Sequence, residues 1–407
     1  MTALPQRFDQ AMAALLPEPP RALGVAVSGG GDSVALLHLC SLWVARHDCA
    51  LHVATVDHGL RPEAAQECAL VAKHAERVGA PHQVLRWSWD GTGNLQDRAR
   101  QARQDLLGAW ARAHGISHIA LGHTRDDQAE TLLMRLKRGS GVDGMAAMSP
   151  SRMQDGLTWL RPMLDLRRDT LRDHLRSIGW AWAEDASNHD TRFERVRMRQ
   201  AMTALGLNAD RLAETAAHMA AARHVLDHAA HQAATAILRQ ENGDMVLERQ
   251  ALNALPQDTR ERLVAAALCW VGQTHYRPRL SALRTALANP RATLHGCLLV
   301  QNDTELRICR EWKAVADLHA PAPGPWDGRW LIDGPAKPGL TTRPLGADGL
   351  LQTNRESWLL PRDSLLASPA IWRGSVLIAA PLAGLTPEYR AKCRALPLDW
   401  PGSGLSH

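Results

Sequence analysis

The chain predicts an α/β fold: a doubly wound parallel sheet, followed by a mainly helical domain and a small β-rich C-terminal domain. Three observations carry this. From Leu23 onward, short apolar runs alternate with longer stretches of helical period, the pattern of strand–helix–strand units. The first run breaks at Ser28-Gly29-Gly30-Gly31-Asp32-Ser33 and resumes at once with helical spacing. Residues able to do chemistry cluster where the apolar runs end, which is where open parallel sheets collect ligands.

In chain order, GVAVS leads into a helix over Val34 to His47, and LHVATVDH into one over Glu63 to Val78. HQVLRW leads into a helix over Gln96 to Ala113, and HIALGH into one over Gln128 to Lys137. Four such units in succession give parallel strands with helices on both faces. A fifth strand-like run, Leu157 to Met163, precedes a helix from Arg168 to Ile178. Alanine-rich amphipathic helix then runs from Asp210 to about Arg239. A short strand follows at Met245 to Leu247, with helices near Asp258 to Val271 and Pro278 to Leu287 and a hairpin from Ala292 to Arg310. Ala320-Pro321-Ala322-Pro323-Gly324-Pro325 has linker composition. Beyond it, apolar runs broken by Gly and Pro suggest β structure. The expected boundaries are 1–206, 207–318 and 319–407.

The net charge of +5 on 407 residues is mild, but it rests on arginine, with only five lysines. Guanidinium forks suit phosphates and nucleobases, although a GC-rich genome would produce the same bias. Seven scattered cysteines include no CxxC pair, so neither a zinc ribbon nor an iron–sulfur cluster is signalled. No run reaches the roughly 18 apolar residues of a membrane span, and the N-terminus lacks the apolar core of a signal peptide. A cytoplasmic location is the expectation.

The chemistry begins at the glycine-rich turn. Gly29, Gly30 and Gly31 remove every Cβ, so backbone N–H groups can converge on one anion. The following helix adds its free amides and positive end, and Ser28 and Ser33 add hydroxyl donors. Asp32 would repel a phosphate unless it caps the helix, pairs with a cation or holds a metal; we read it as doing the last two. No GxxxxGK[ST] pattern is present, and the glycine-rich turn after the first apolar run is not a GxGxxG, which argues against the common nucleotide-hydrolase and dinucleotide loops there.

SGGGDS is similar to the SGGxDS loop of the PP-loop ATP pyrophosphatases, with their adenine nucleotide alpha hydrolase-like fold. A narrower resemblance follows from Asp57-His58-Gly59-Leu60-Arg61, Gly122-His123-Thr124-Arg125-Asp126-Asp127-Gln128-Ala129-Glu130-Thr131 and Leu136-Lys137-Arg138-Gly139. Arg161-Pro162-Met163-Leu164, Glu184-Asp185-Ala186-Ser187-Asn188 and an arginine run to Arg199 come next. In this order the signatures resemble the tRNA(Ile)-lysidine synthetase family across the first half of the chain. The second half resembles it less sharply.

The resemblance implies a ligase that uses ATP and Mg²⁺ to join free L-lysine to C2 of cytidine 34, the wobble base of a tRNA(Ile) with anticodon CAU. The reaction passes through an adenylated cytidine and yields lysidine, AMP and pyrophosphate. The product reads AUA and is charged as Ile rather than Met. In this reading Ser28, Gly29, Gly30, Gly31, Asp32 and Ser33 cradle the β and γ phosphates, with Mg²⁺ near Asp32, and Asp57 and Arg61 frame the nucleotide. A helix N-cap is the alternative for Asp57. Asp127 and Glu130, one turn apart, share a helix face and would recognise lysine, one of them as general base. His123 either acts on the leaving phosphate or satisfies a strand-end carbonyl. Arg195 and Arg199 either contact phosphate or tRNA or form a solvated face. Relatives imply a homodimer. A sulfur-transferring tRNA thiolase, the nearest rival, would need the cysteine pairs that are missing.

Overall fold

The structure, a computed structural model, describes residues 3–59, 64–89, 91, 95–184, 192–274, 276–397 and 400–401. Arg61 and residues 185–188 of the sequence motifs lie outside this set. Contacts divide the chain into two units, residues 1–222 and 223–407.

The first unit opens with α1 (Leu4–Leu15), β1 (Ala22–Ala26), α2 (Gly31–Val44), β2 (Ala50–Asp57) and α3 (Ala64–Arg77). It continues with β3 (His82–Arg86), α4 (Leu95–Ala113), β4 (His118–Leu121), α5 (Arg125–Lys137), α6 (Val142–Met145), β5 (Ser151–Gln154) and β6 (Leu157–Leu160). Next come α7 (Arg168–Ser177) and α8 (Glu194–Ala204), and the long α9 (Ala209–Ile237) continues past residue 222 into the second unit. The strand order is β3-β2-β1-β4-β6-β5. All neighbours run parallel except β5, which pairs antiparallel with β6. The doubly wound sheet is therefore as expected, with an added antiparallel edge.

Burial follows the pleat. Leu23, Val25 and Val27 join a core with Phe8, Met12, Leu36, Leu39, Val71 and Leu171 on one face. Ala26, Ala54, Ile119 and Leu121 join Leu107, Trp110 and Trp159 on the other. The period-2 alternation in sequence thus becomes two apolar layers, each buried Leu or Ile contributing roughly 1.5–3 kcal/mol. The chain leaves β1 toward β2 on one side and reaches β4 on the other, so the winding reverses between β1 and β4. A crevice at the carboxyl ends of these strands is the ligand position that this topology dictates.

In the second unit, β7 (Leu238–Glu241), β8 (Asp244–Glu248), β9 (Arg291–Leu294), β10 (Cys297–Gln301) and β11 (Glu305–Arg310) form an antiparallel sheet ordered β7-β8-β11-β10-β9. The helix α10 (Gln257–Gly272) covers it, packing Leu263, Val264, Leu268 and Val271 against Met245, Leu247, Leu299 and Ile308. The helical segment therefore carries more strand than the sequence suggests, because Leu238–Glu241 is too polar to stand out as one. The proline-rich stretch pairs as two short strands, Ala320–Pro321 against 341–342 and Gly324–Trp326 against 330–332. Both lie at sheet edges, where a missing N–H is tolerated. All seven cysteines are free. Among the described residues no helix is long and apolar enough to cross a membrane.

Candidate active site

The turn after β1 is held by its two serines. Ser33 Oγ accepts the Ser28 N–H at 3.1 Å and donates to the Gly30 carbonyl at 2.8 Å. The two hydroxyls lie 3.2 Å apart. Gly29 sits at φ +91°, a conformation that favours glycine, and its carbonyl accepts the Ala183 N–H at 2.9 Å. Gly30 caps α2 with extended backbone, and no side chain takes the cap position. The first amides of the helix are left to a ligand. Asp32 thus does not serve as the helix cap.

Facing this cradle is a cluster of charges from four helices. Thr124 and Asp127 cap α5 reciprocally: Asp127 Oδ2 accepts the Thr124 N–H and hydroxyl, both at 2.8 Å. This fixes Asp127 in place and leaves Oδ1 facing inward. One guanidinium, that of Arg168 at the first position of α7, then joins three acids. Its Nε donates to Asp32 Oδ2 at 2.9 Å and its terminal nitrogens to Asp127 Oδ1 at 3.1 Å and Glu130 Oε1 at 3.3 Å. Arg199 donates to Glu130 Oε1 at 2.5 Å, and Arg195 lies 3.8 Å from Asp127 Oδ1. Asp32, Asp127, Glu130, Arg195 and Arg199, nominated from sequence, are thereby brought together.

Burial sets the electrostatics. Thr124 is fully buried, and Asp127 and Glu130 are 5% and 1% exposed. Burial pushes the Asp32 carboxyl above its usual range, more than Arg168 pulls it down. For Asp127 burial acts the same way, but Arg168, His123 and Arg195 outweigh it and hold the carboxyl low. Arg168 is raised: burial disfavours its charge, and the three carboxylates more than compensate. Among the described residues, nothing donates to Asp32 Oδ1 or Glu130 Oε2, both buried. A buried oxygen without a donor is costly unless a ligand meets it. Asp32 Oδ1 suits a Mg²⁺ whose other ligands are phosphate oxygens and water.

His123, after β4, is lowered to about 3, by burial first and then by Arg161, so its imidazole is neutral at physiological pH. Among the described residues its Nδ1 has no partner. Asp57 closes a turn at the end of β2, Oδ1 accepting the Gly59 N–H at 2.9 Å, and is not among the acids that Arg168 joins.

Arg168 is the central residue that sequence reading missed. The available signal was electrostatic: Arg167 and Arg168 begin a helix, where cations oppose the dipole, so nearby acids had to be expected. Asp126 supplies part of the answer, its Oδ2 accepting the Arg168 N–H at 2.8 Å and Oδ1 pairing with Arg167 at 3.2 Å.

A glycine cradle at a sheet's switch point, open to an anion and ringed by carboxylates, defines a nucleotide-binding α/β enzyme domain, and the family description of a PP-loop domain matches residues 2–205. A tRNA(Ile)-lysidine synthase from Ruegeria pomeroyi is 48% identical over 404 residues, covering 96% of this chain and 95% of the relative. One from Wolbachia pipientis is 32% identical over 326 residues, 76% of each chain. Among solved structures, a U34-tRNA thiolase from Methanococcus maripaludis with a [4Fe-4S] cluster superposes with a TM-score of 0.46 at 14% identity, covering 53% of this chain and 76% of the other. The chain belongs to the tRNA(Ile)-lysidine synthase family.

Proposed function

We propose that this chain converts cytidine 34 of a CAU-anticodon tRNA(Ile) to lysidine in two steps, with the switch-point crevice as the reaction chamber. The observation that carries this is the joining of the phosphate cradle to a buried carboxylate pair by a single arginine.

In the first step the C2 oxygen of cytidine attacks the α phosphorus of ATP, and the bond to the β-phosphate oxygen breaks. Negative charge grows on the departing pyrophosphate. The amides of Gly30 to Ser33 and the hydroxyls of Ser28 and Ser33 stabilise charge that is greatest in the transition state. A Mg²⁺ beside Asp32 Oδ1 would neutralise the same charge.

In the second step the ε-nitrogen of lysine attacks C2 and AMP departs with the oxygen. Lysine is cationic in water at neutral pH, so the site must attract an ammonium and then remove a proton. Asp127, held ionised, supplies the attraction. Glu130 Oε2, buried with no donor among the described residues, is placed to take the proton. His123 is neutral and serves as a hydrogen-bonding group toward the adenylate rather than as an imidazolium. Asp57, whose carboxylate braces the loop after β2, helps frame the nucleotide, and Arg195 and Arg199 orient the acids while offering charge to RNA phosphates.

A cytoplasmic location fits these proposed substrates. The deciding experiment incubates the purified chain with CAU-anticodon tRNA, ATP and labelled lysine, then digests the tRNA to nucleosides for mass analysis. A labelled nucleoside with the mass of a cytidine–lysine adduct less water is expected; label in the aminoacyl ester only would contradict the proposal. Light scattering on the same preparation tests the homodimer.

A further inference from the structure

In the proposed lysine pocket the carboxylates are already matched by arginines. Three carboxylates, Asp32, Asp127 and Glu130, face three guanidinia, those of Arg168, Arg195 and Arg199. Arg168 alone spends Nε and both terminal nitrogens on three different acids. Its guanidinium therefore stands where an incoming ammonium would have to stand, and the cluster as a whole offers that ammonium little net attraction. Yet Arg168 is also within reach of the cradle, because Asp32 is the second residue of α2, whose N-terminus the cradle forms. A triphosphate there presents phosphate oxygens to a fork that binds phosphate as well as carboxylate.

We propose that Arg168 is an exchangeable counter-ion that makes lysine binding conditional on nucleotide. Without ATP it occupies Asp127 and Glu130; phosphates in the cradle draw it away and leave those carboxylates to the lysine ammonium. The inference rests on the reading of Asp127 and Glu130 as the lysine site. It orders the reaction: the amine is admitted once the activating nucleotide is present, which keeps lysine from blocking an empty enzyme. It also makes the coupling reciprocal, so that lysine must tighten nucleotide binding by the same factor.

The test is calorimetric titration of L-lysine into the full chain, with Mg²⁺ throughout, with and without α,β-methylene-ATP, which cannot be cleaved at the reacting bond. Wild-type protein should bind lysine on the order of tenfold more tightly with the analogue. In Arg168→Gln the ligand-free form should bind lysine on the order of tenfold more tightly than wild type, and the analogue should add little. Equal wild-type affinity in both conditions, or an undiminished effect of the analogue in Arg168→Gln, would overturn the proposal. If Arg168→Gln fails to fold, Arg168→Lys replaces it. A single ammonium cannot bridge three acids, so the coupling factor should shrink, and an unchanged factor is the contrary result. Failure of the underlying reading looks different: Asp127→Asn and Glu130→Gln would both leave lysine affinity unmoved whether or not the analogue is present.

Discussion

Gly122 lies directly against the backbone of Ser33: a Cβ at position 122 would stand 3.1 Å from Ser33 Cα, 3.2 Å from its nitrogen and 3.3 Å from the Asp32 carbonyl carbon. The loop after β4 and the phosphate cradle after β1 are thus held closer than a side chain at position 122 readily permits, and the glycine serves this approach rather than a special dihedral angle. The atoms it would strike are backbone, which cannot swing aside as a side chain does.

Gly122→Ala should therefore push the cradle and the Thr124 loop apart by a few tenths of an ångström. Misplacement on that scale slows chemistry that depends on alignment. Pyrophosphate release from ATP, measured with saturating tRNA, should fall on the order of tenfold or more, while the lysine KM changes little. An Ala variant with wild-type turnover would mean that the two loops are free to separate.

Thr124→Val keeps the shape of the side chain and removes the hydroxyl that donates to Asp127 Oδ2 and accepts the Asp127 N–H. Loss of this buried cap should lower stability by about 1–2 kcal/mol, read as a shift in the urea midpoint. With one anchor of the Asp127 carboxylate gone, the lysine KM should rise more than the ATP KM. A stability loss with no change in the lysine KM would confine Thr124 to the helix end.

Stability should fall as the pH is lowered from neutral. His123 titrates near 6.5 when unfolded but is lowered to about 3 in the fold, by burial and Arg161. Between those values the unfolded chain binds the extra proton, so stability is lost toward acid, by at most about 1.4 kcal/mol per pH unit for one such group. His38, lowered to about 4 by burial and His174, acts in the same direction. The Asp127 carboxyl, held low, adds stability that is lost only below its unfolded value of about 3.9. Urea unfolding at pH 7.5, 6.5 and 5.5 should give a shallower pH slope for His123→Asn than for wild type. Equal slopes would place a proton on the native imidazole.

How far the sequence could be read follows from where its signals are local. The parallel sheet was legible because β1, β2, β4 and β6 are apolar runs beside helices with clear period. Ser151–Gln154 was not, since its only buried residue is the polar Gln154 and its one apolar residue, Met153, is exposed. Asp127 and Glu130 could be paired from their spacing on one helix, and the glycine cradle from its composition. Arg168 could not, because its meaning comes from three acids on other elements, the farthest 136 residues away. The face shared by Arg195 and Arg199 was readable, but not that it turns toward Asp127 and Glu130.

The most direct measurement of the central claim is pyrophosphate release from ATP with components omitted one at a time. If the cradle holds the β and γ phosphates while a base oxygen takes the α phosphate, a CAU-anticodon tRNA without lysine should release a burst of no more than one pyrophosphate per tRNA, and added lysine should turn the burst into steady turnover with AMP. Asp32→Ala should abolish the burst while tRNA binding persists. Release of pyrophosphate without tRNA, or no release until a sulfur donor is supplied, would contradict the account.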